Sequence, residues 1–362
     1  MNKEKITLIA VGDVIIGRDE PTTILKHVVD VLRPADISFA TCDQAYSDKG
    51  NPYISPTHVL RPDPNNISAL VYAGLSLVSL ANNHSMDLGP ENLLDSIDMI
   101  RKAGIEVVGV GENILQARQP AILERKGNRV GFLAYGCVGP DRAVATEDKP
   151  GHAPVRAWTI YKQVDLQPGM PPQIFTLAYR DELIAMEEDI RRLKSQVDVV
   201  AVSFHWGLHF MRALIPMYEF EIGHAAINAG ADIIFGSHAH ILKGIEVYKG
   251  KVIFHGLGNF AAEHKGKLFN KMEGGPYVFV PEAKETMAEA RYTIMAKVIM
   301  ERGEIKKVSY IPCYINENSE PEIVTRSNPK GEEVFSYMEN ISRSQNLDTN
   351  FAWEGDEVVL ST

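Results

Sequence analysis

Two imidazoles sit two positions apart after an apolar run in "ADIIFGSHAHILKGIE", residues 231–246. Ile233, Ile234 and Phe235 read as a short buried strand ending at Gly236-Ser237, so His238 and His240 project from an extended segment at its mouth. Similar residues recur at other strand ends. Gly12-Asp13 follows "ITLIAV" (6–11), and Thr41-Cys42-Asp43 follows "ADISFA" (35–40). "ANNHSMD", after "LSLVSL" (75–80), supplies Asn82, Asn83, His84 and Asp87. His205 follows "VDVVAVSF" (197–204), with Trp206 beside it and His209 four residues on. The strand ends at 110 and 135 carry no such residue.

Each of these has an ordinary reading alone: a Gly-Asp turn, an Asn-Asn-His loop or cap, a histidine packed beside a tryptophan. Their joint occurrence reads differently, because open α/β sheets bind ligands outside the carboxyl ends of their strands. Two carboxylates, one amide and three or four imidazoles are too many donors for a single tetrahedral zinc. They suit two adjacent divalent ions, about 3.5–4 Å apart, sharing a bridging carboxylate and a bridging water. Manganese, iron and zinc all accept such donors. The chemistry such a centre performs is hydrolysis by a metal-activated hydroxide, the pKa of bound water falling to about 7.

The elements that must position these residues alternate along the chain. Strands are expected at 6–11, 35–40, 75–80, 105–110, 129–135, 197–204, 231–235 and 251–257, and helices at 21–32, 64–73, 90–103, 181–195 and 216–229. Pro90 suits the first turn of its helix, and Gly104 follows the last. This alternation predicts an α/β layered fold with much parallel pairing. Residues 139–180, rich in proline and glycine, read as a long surface excursion, either a lid or a structural insertion. After about 260 the rhythm weakens, with a hairpin expected over 292–300 and 305–312 and then a polar tail. The expected organisation is one domain over 1–265 interrupted by that excursion, and a C-terminal extension over 266–362 that completes or covers it.

At these residues the chain resembles the CapA (poly-gamma-glutamate or capsule biosynthesis) proteins, relatives of the calcineurin-like metallophosphoesterases. The matching stretches are "GDVIIGR", "LANNHSMDLG", "VGVGENILQARQP", "SFHWG", "INAGADIIFGSHAHILKGIEVYKGKVIF" and "GLGNF", over about residues 6–260. The resemblance implies two mixed β-sheets packed face to face with flanking helices, a four-layer α/β sandwich, and a dinuclear metal site at the strand ends. By the same resemblance Asp13 is a ligand of the first metal and Asp43 the bridging carboxylate. Asn83, His205 and His238 are then second-metal ligands, and His240 returns to the first. His84 takes the place of the general acid or transition-state stabiliser, with Asp87 orienting it. The chain departs from the family where "ATCD" stands for the usual "ANLE", where His209 stands for a glutamate after "HWG", and at His255 in "FHGLGNF". His209 and His255 are candidate extra ligands or substrate contacts, with a structural role as the alternative. These departures put the usual substrate in doubt more than the metal chemistry.

Composition narrows the partners. The chain has 362 residues, 45% hydrophobic and 23% charged, with a formal net charge of −10, which argues against a nucleic-acid backbone or a polybasic membrane attachment. A small anionic substrate is expected, with Arg142, Arg156 and Arg212 as candidates to meet it or else as solvated surface charges. The first apolar run is too short for a signal-peptide core, no stretch is long enough to span a bilayer, and three widely spaced cysteines imply no disulfide framework. A cytoplasmic location is therefore expected. Three functions remain open: a phosphoesterase-like hydrolase, a non-catalytic component of poly-gamma-glutamate or capsule assembly, and a metal-dependent amidase or lactone hydrolase.

Overall fold

A computed structural model describes residues 3–54, 63–165, 169–263 and 288–361. The first strand, Ile6–Ile15, is apolar on both faces: Ile6, Leu8 and Ala10 point one way, Ile9 and Val11 the other, and all are buried. Such an unbroken run is what a strand covered on both sides requires. Parallel neighbours Ile37–Cys42, Leu77–Ser79 and Glu106–Val108 extend this sheet on one side. On the other side lies the antiparallel hairpin Tyr292–Glu301 and Glu304–Ile315, followed by Glu357–Ser361 and Asn350–Glu354. The second sheet runs Ile245–Tyr248, Lys251–Phe254, Ile233–His238, Val199–Trp206, Asn128–Gly136, Ala121–Arg125, parallel at its centre and antiparallel at both edges.

The sheets pack face to face. Ile6, Leu8, Phe39 and Leu77 of the first share one apolar cluster with Phe132, Ala201, Phe235 and Phe254 of the second. Phe39 stacks between Phe132 and Phe235, with ring centroids 5.8 and 6.0 Å away. The outer face of the first sheet packs on helices Ile67–Ala73 and Pro90–Lys102, and that of the second on Arg180–Lys194 and Met217–Ala229. Helix Pro90–Lys102 buries Leu93, Ile97 and Ile100, the spacing that puts side chains on one face. The result is the mixed, four-layer α/β sandwich that the resemblance implies.

Details differ from expectation in ways that matter for the site. The first strand continues to Ile15, so Gly12-Asp13 is not a turn after it but a bulge within it, where pairing with Asn259–Ala262 begins. A side chain at position 12 has no room: its Cβ would stand 2.0 Å from the carbonyl oxygen of Gly258. His205 and His238 likewise belong to the last turns of pleat of their strands. The helix expected over 21–32 is a 3-10 turn, Pro21–Leu25, and a single helical turn, Val29–Leu32. The expected polar tail is instead helix Pro329–Ser344 and a terminal hairpin, because Val334, Tyr337, Met338 and Ile341 form an apolar stripe that joins the inter-sheet core. Part of the 139–180 excursion is packed, with Ala143, Ala145, Ala153 and Val155 buried. Its remainder is a ribbon, Ala157–Lys162 with Gln173–Ala178, carrying exposed Trp158 and Ile160. The boundary expected at 265–266 lies outside the described residues.

Candidate active site

Asp13, Asp43, Asn83, His205, His238 and His240 converge at the carboxyl ends of the two sheets. Asp13 and Asp43 are completely buried. Asp13 Oδ2 accepts a hydrogen bond from the His238 backbone N–H at 3.1 Å, but Asp13 Oδ1 and both oxygens of Asp43 have no hydrogen-bond partner among the described residues. Imidazole nitrogens face them across gaps too wide for good hydrogen bonds. His205 Nε2 is 3.4 Å from Asp43 Oδ1, His240 Nε2 is 3.7 Å from Asp43 Oδ2, and His205 Nδ1 is 4.0 Å from Asp13 Oδ1. Asn83 Oδ1 stands 2.8 Å from His205 Nε2 and 3.2 Å from His238 Nδ1, and those two nitrogens are 3.1 Å apart.

Neighbouring residues fix which nitrogens carry protons. Ser237 Oγ–H donates to the Phe204 carbonyl, so its oxygen accepts from His205 Nδ1–H at 3.0 Å and leaves Nε2 bare. Asn259 Nδ2 donates to the His240 carbonyl, so its Oδ1 accepts from His240 Nδ1–H at 2.8 Å, and again Nε2 is bare. In those tautomers His205 Nε2 faces Asn83 Oδ1 at 2.8 Å and Asp43 Oδ1 at 3.4 Å, and His240 Nε2 faces Asp43 Oδ2 at 3.7 Å, lone pair toward lone pair. A buried array of lone pairs like this is costly on its own, and a cation among them resolves it. Among the described residues no three His, Cys, Asp or Glu side chains are already gathered closely enough to hold an ion, so the fit rests on donor chemistry and the orphaned oxygens. On that ground the residues fit the divalent ions expected, with Ser237 and Asn259 orienting the ligands as outer partners do in metal sites.

The backbone around the histidines is strained. His238 and His240 have φ of 89° and 57°, a region that bulky residues enter at a cost and that clusters at functional sites. Electrostatics are equally tense. Burial, and then the charge of Asp43, hold the Asp13 carboxyl well above its usual range. Burial lifts Asp43 to about 6, with His84 pulling it down and Asp87 pushing it up. His205 and His238 are driven well below the ordinary imidazole value by burial and by neighbouring histidines, which suits neutral ligands. His84 goes the other way. Burial opposes its charge, but the Asp87 hydrogen bond at 2.9 Å and the charge of Asp43 outweigh that and raise it to about 9.

Asn82 holds the loop rather than the centre: its amide donates to Cys42 O at 2.6 Å and its Oδ1 accepts from the His84 N–H at 2.9 Å. His84, Asp87, Asn83, His209 and His238 share a cleft of ≈ 320 Å³ whose other walls include Ile54, Val138 and Pro140. His209 stacks at 4.0 Å from His238 and 5.1 Å from His240, ring centre to ring centre. Larger clefts, ≈ 730 and ≈ 380 Å³, lie elsewhere and contain no histidine among the described residues.

Four expected contacts are not brought to the centre. His255 is buried between Glu219 (3.3 Å) and Glu246 (3.1 Å) and stacks on Trp206, behind the ligand-bearing strand. Arg142 lies over the Tyr53 ring, Arg156 is held by Glu182 and Asp141, and Arg212 pairs with Glu289 at 3.1 Å. None of the three lines the cleft. Conversely, Ser237 and Asn259 went unassigned from sequence. The signal for Asn259 was a lone amide opening the otherwise apolar strand Asn259–Ala262.

Comparisons with known proteins agree with this arrangement. Residues 7–264 match the family described as bacterial capsule synthesis protein PGA_cap. The capsule biosynthesis protein CapA of Bacillus anthracis is 28% identical over 268 residues, 71% of this chain and 60% of that protein. The probable polyglutamine synthesis accessory protein Rv0574c of Mycobacterium tuberculosis is 30% identical over 210 residues, 57% of this chain and 50% of that protein. The matched stretch thus spans about half to three-fifths of those relatives' length. Among solved structures, a novel phosphatase of Mycoplasma pneumoniae is 13% identical, covering 94% of this chain and 100% of that one, with a TM-score of 0.48. The calcineurin-like phosphoesterase YfkN of Bacillus subtilis is 14% identical, covering 94% of this chain and 98% of that one, with a TM-score of 0.41. These structural likenesses are too slight to transfer an activity. The family match over residues 7–264, which include the second sheet, the parallel part of the first and the site, carries the assignment: the chain belongs to the bacterial capsule synthesis protein PGA_cap family.

Proposed function

We propose that the chain is a dinuclear-metal-dependent hydrolase acting on a phosphoester of a small anionic molecule. The observation that supports this reading is the convergence of His205 Nε2 and His240 Nε2, at 3.4 and 3.7 Å, on the two oxygens of buried Asp43, neither of which has a hydrogen-bond partner among the described residues. Asp13, Asp43 and His240 would hold one ion and Asp43, Asn83, His205 and His238 the other. Two manganese, iron or zinc ions, when bound, supply a water acidic enough to lose its proton near neutral pH and draw electrons from the bond under attack.

The chain's own residues do the rest. His84, protonated and beside the cleft, donates to the departing oxygen through Nε2 while Asp87 holds Nδ1. Ser237 and Asn259 keep the ligating imidazoles in one tautomer. Among the described residues no helix is long and apolar enough to cross a membrane, and the three cysteines are buried thiols; the proposed enzyme is cytoplasmic and acts on a small molecule.

The relatives' names favour a second reading, a component of capsule or poly-gamma-glutamate assembly without hydrolase activity. An amidase or lactone hydrolase is a third, in which the same centre attacks a carbonyl. Elemental analysis of protein purified without chelators separates the first two: about two ions per chain, falling in His240→Ala, supports the hydrolase. His84→Ala should keep its metal yet lose at least about 100-fold in turnover. Phosphate release across phosphoester and amide panels separates the third. No metal uptake, even on reconstitution with manganese, iron or zinc, would favour the assembly component.

A further inference from the structure

The cleft beside the centre has an unusual division of labour. Its polar walls are two imidazoles outside the proposed ligand set, His84 and His209, with Asn83, His238 and Asp87, whose carboxylate is engaged by His84 Nδ1 at 2.9 Å. The rest is short and apolar: Ile54, Val138 and Pro140. Among the described residues no lysine or arginine and no Phe, Tyr or Trp lines it, so the rings and cationic donors found there are imidazoles. At ≈ 320 Å³ it lies at the small end of ligand pockets, about 300–1,000 Å³. His209 is held in place by the loop that bears it. Phe210 N–H donates to the Ala239 carbonyl at 2.9 Å, and the buried Lys243 ammonium donates to the carbonyls of Met211 and Leu214. That loop stacks the His209 ring on His238.

We propose that His209 is a substrate-binding residue, that with His84 it grips the anionic group of the substrate, and that the substrate is a small phosphomonoester with a compact apolar substituent seated against Ile54, Val138 and Pro140, rather than a nucleotide. This rests on the hydrolase reading for the bond that is cleaved, but not for the binding itself. His209 selects by hydrogen bonding and position, Ile54, Val138 and Pro140 by size.

The test is calorimetric titration of the full chain, reconstituted with manganese, using inorganic phosphate, phenylphosphonate and adenosine monophosphate as probes, with metal content measured on the same samples. Phosphate should bind at least tenfold more weakly to His209→Ala and more weakly still to His209→Glu, whose carboxylate repels the anion, while both variants keep the wild-type metal content. Phenylphosphonate should bind more tightly than phosphate, and adenosine monophosphate no more tightly. Loss of an ion in His209→Ala would make the residue a ligand and overturn the proposal. So would unchanged phosphate affinity in both variants, or preferential binding of the nucleotide. A wild-type chain that binds phosphate through His209 yet takes up no metal would sink the hydrolase reading and leave this one standing. A chain that holds metal but not phosphate would do the reverse.

Discussion

Asp43 is a buried carboxylate with neither oxygen hydrogen-bonded among the described residues, so on the proposed reading it destabilises the metal-free chain and a bound cation would offset that cost. Asp43→Asn keeps the shape and removes the charge. Chelated Asp43→Asn is expected to resist urea better than chelated wild type, by on the order of 1 kcal/mol, while failing to take up its full complement of metal. A less stable chelated variant would mean that the carboxylate has a protein partner after all. Ser237 acts one atom further out. Ser237→Ala frees the His205 tautomer and should weaken metal binding about 10–100-fold in a chelator competition, and equal affinity would remove Ser237 from the site. The side chains that converge at the site were legible in the sequence, because carboxylates, an amide and imidazoles interrupt apolar strands at their ends. Ser237 and Asn259 were not, since their role depends on which nitrogen of a neighbouring ring they face across the sheet. The sequence left the three arginines between substrate contact and surface charge, because it does not reveal the carboxylates that hold Arg156 and Arg212 or the Tyr53 ring beneath Arg142.

At the scale of elements, the segment at 316–320 is fastened to the N-terminal region by one carboxylate. Glu320, nearly buried, accepts from Lys26 Nζ at 2.9 Å, Asn316 Nδ2 at 3.1 Å and Arg18 Nη1 at 3.2 Å. Burial pushes its pKa up, but these donors outweigh burial and hold it at about 2, against an ordinary 4.5. A carboxyl depressed in the folded state stabilises fully above its unfolded value and loses that contribution as pH falls toward its folded value. Wild type should therefore lose stability between about pH 5 and 2 more steeply than Glu320→Gln, as read by urea midpoints at each pH; parallel curves would show that the network contributes nothing. The large elements were legible because their periodicity is strong, as in Pro90–Lys102 and Arg180–Lys194. Edge strands were harder. Ala121–Arg125 and Ile245–Tyr248 are short, half exposed and mixed in composition, so only pairing with Asn128–Gly136 and Lys251–Phe254 makes them strands. The Pro329–Ser344 stripe was hidden by the charged residues that face away from it.

At the scale of the molecule, the two sheets share one core with Phe39 at its centre, stacked on a ring from each of two facing strands. Phe39→Ala should cost about 3–5 kcal/mol and leave unfolding a single transition, because the cavity it opens belongs to both sheets. Two separated transitions in denaturant would show that the sheets unfold independently. The site shares this dependence, since Asp13 and Asp43 come from the first sheet and His205 and His238 from the second. Neither sheet alone carries a ligand set.

The first strand also imposes an order on synthesis. It lies between Ile37–Cys42 and Tyr292–Glu301, so one of its neighbours is made almost at once and the other much later. At about 5–20 residues per second, residue 301 is added about 15–60 s after residue 15. Through that interval the open edge of this largely apolar strand waits for a partner that has not been made.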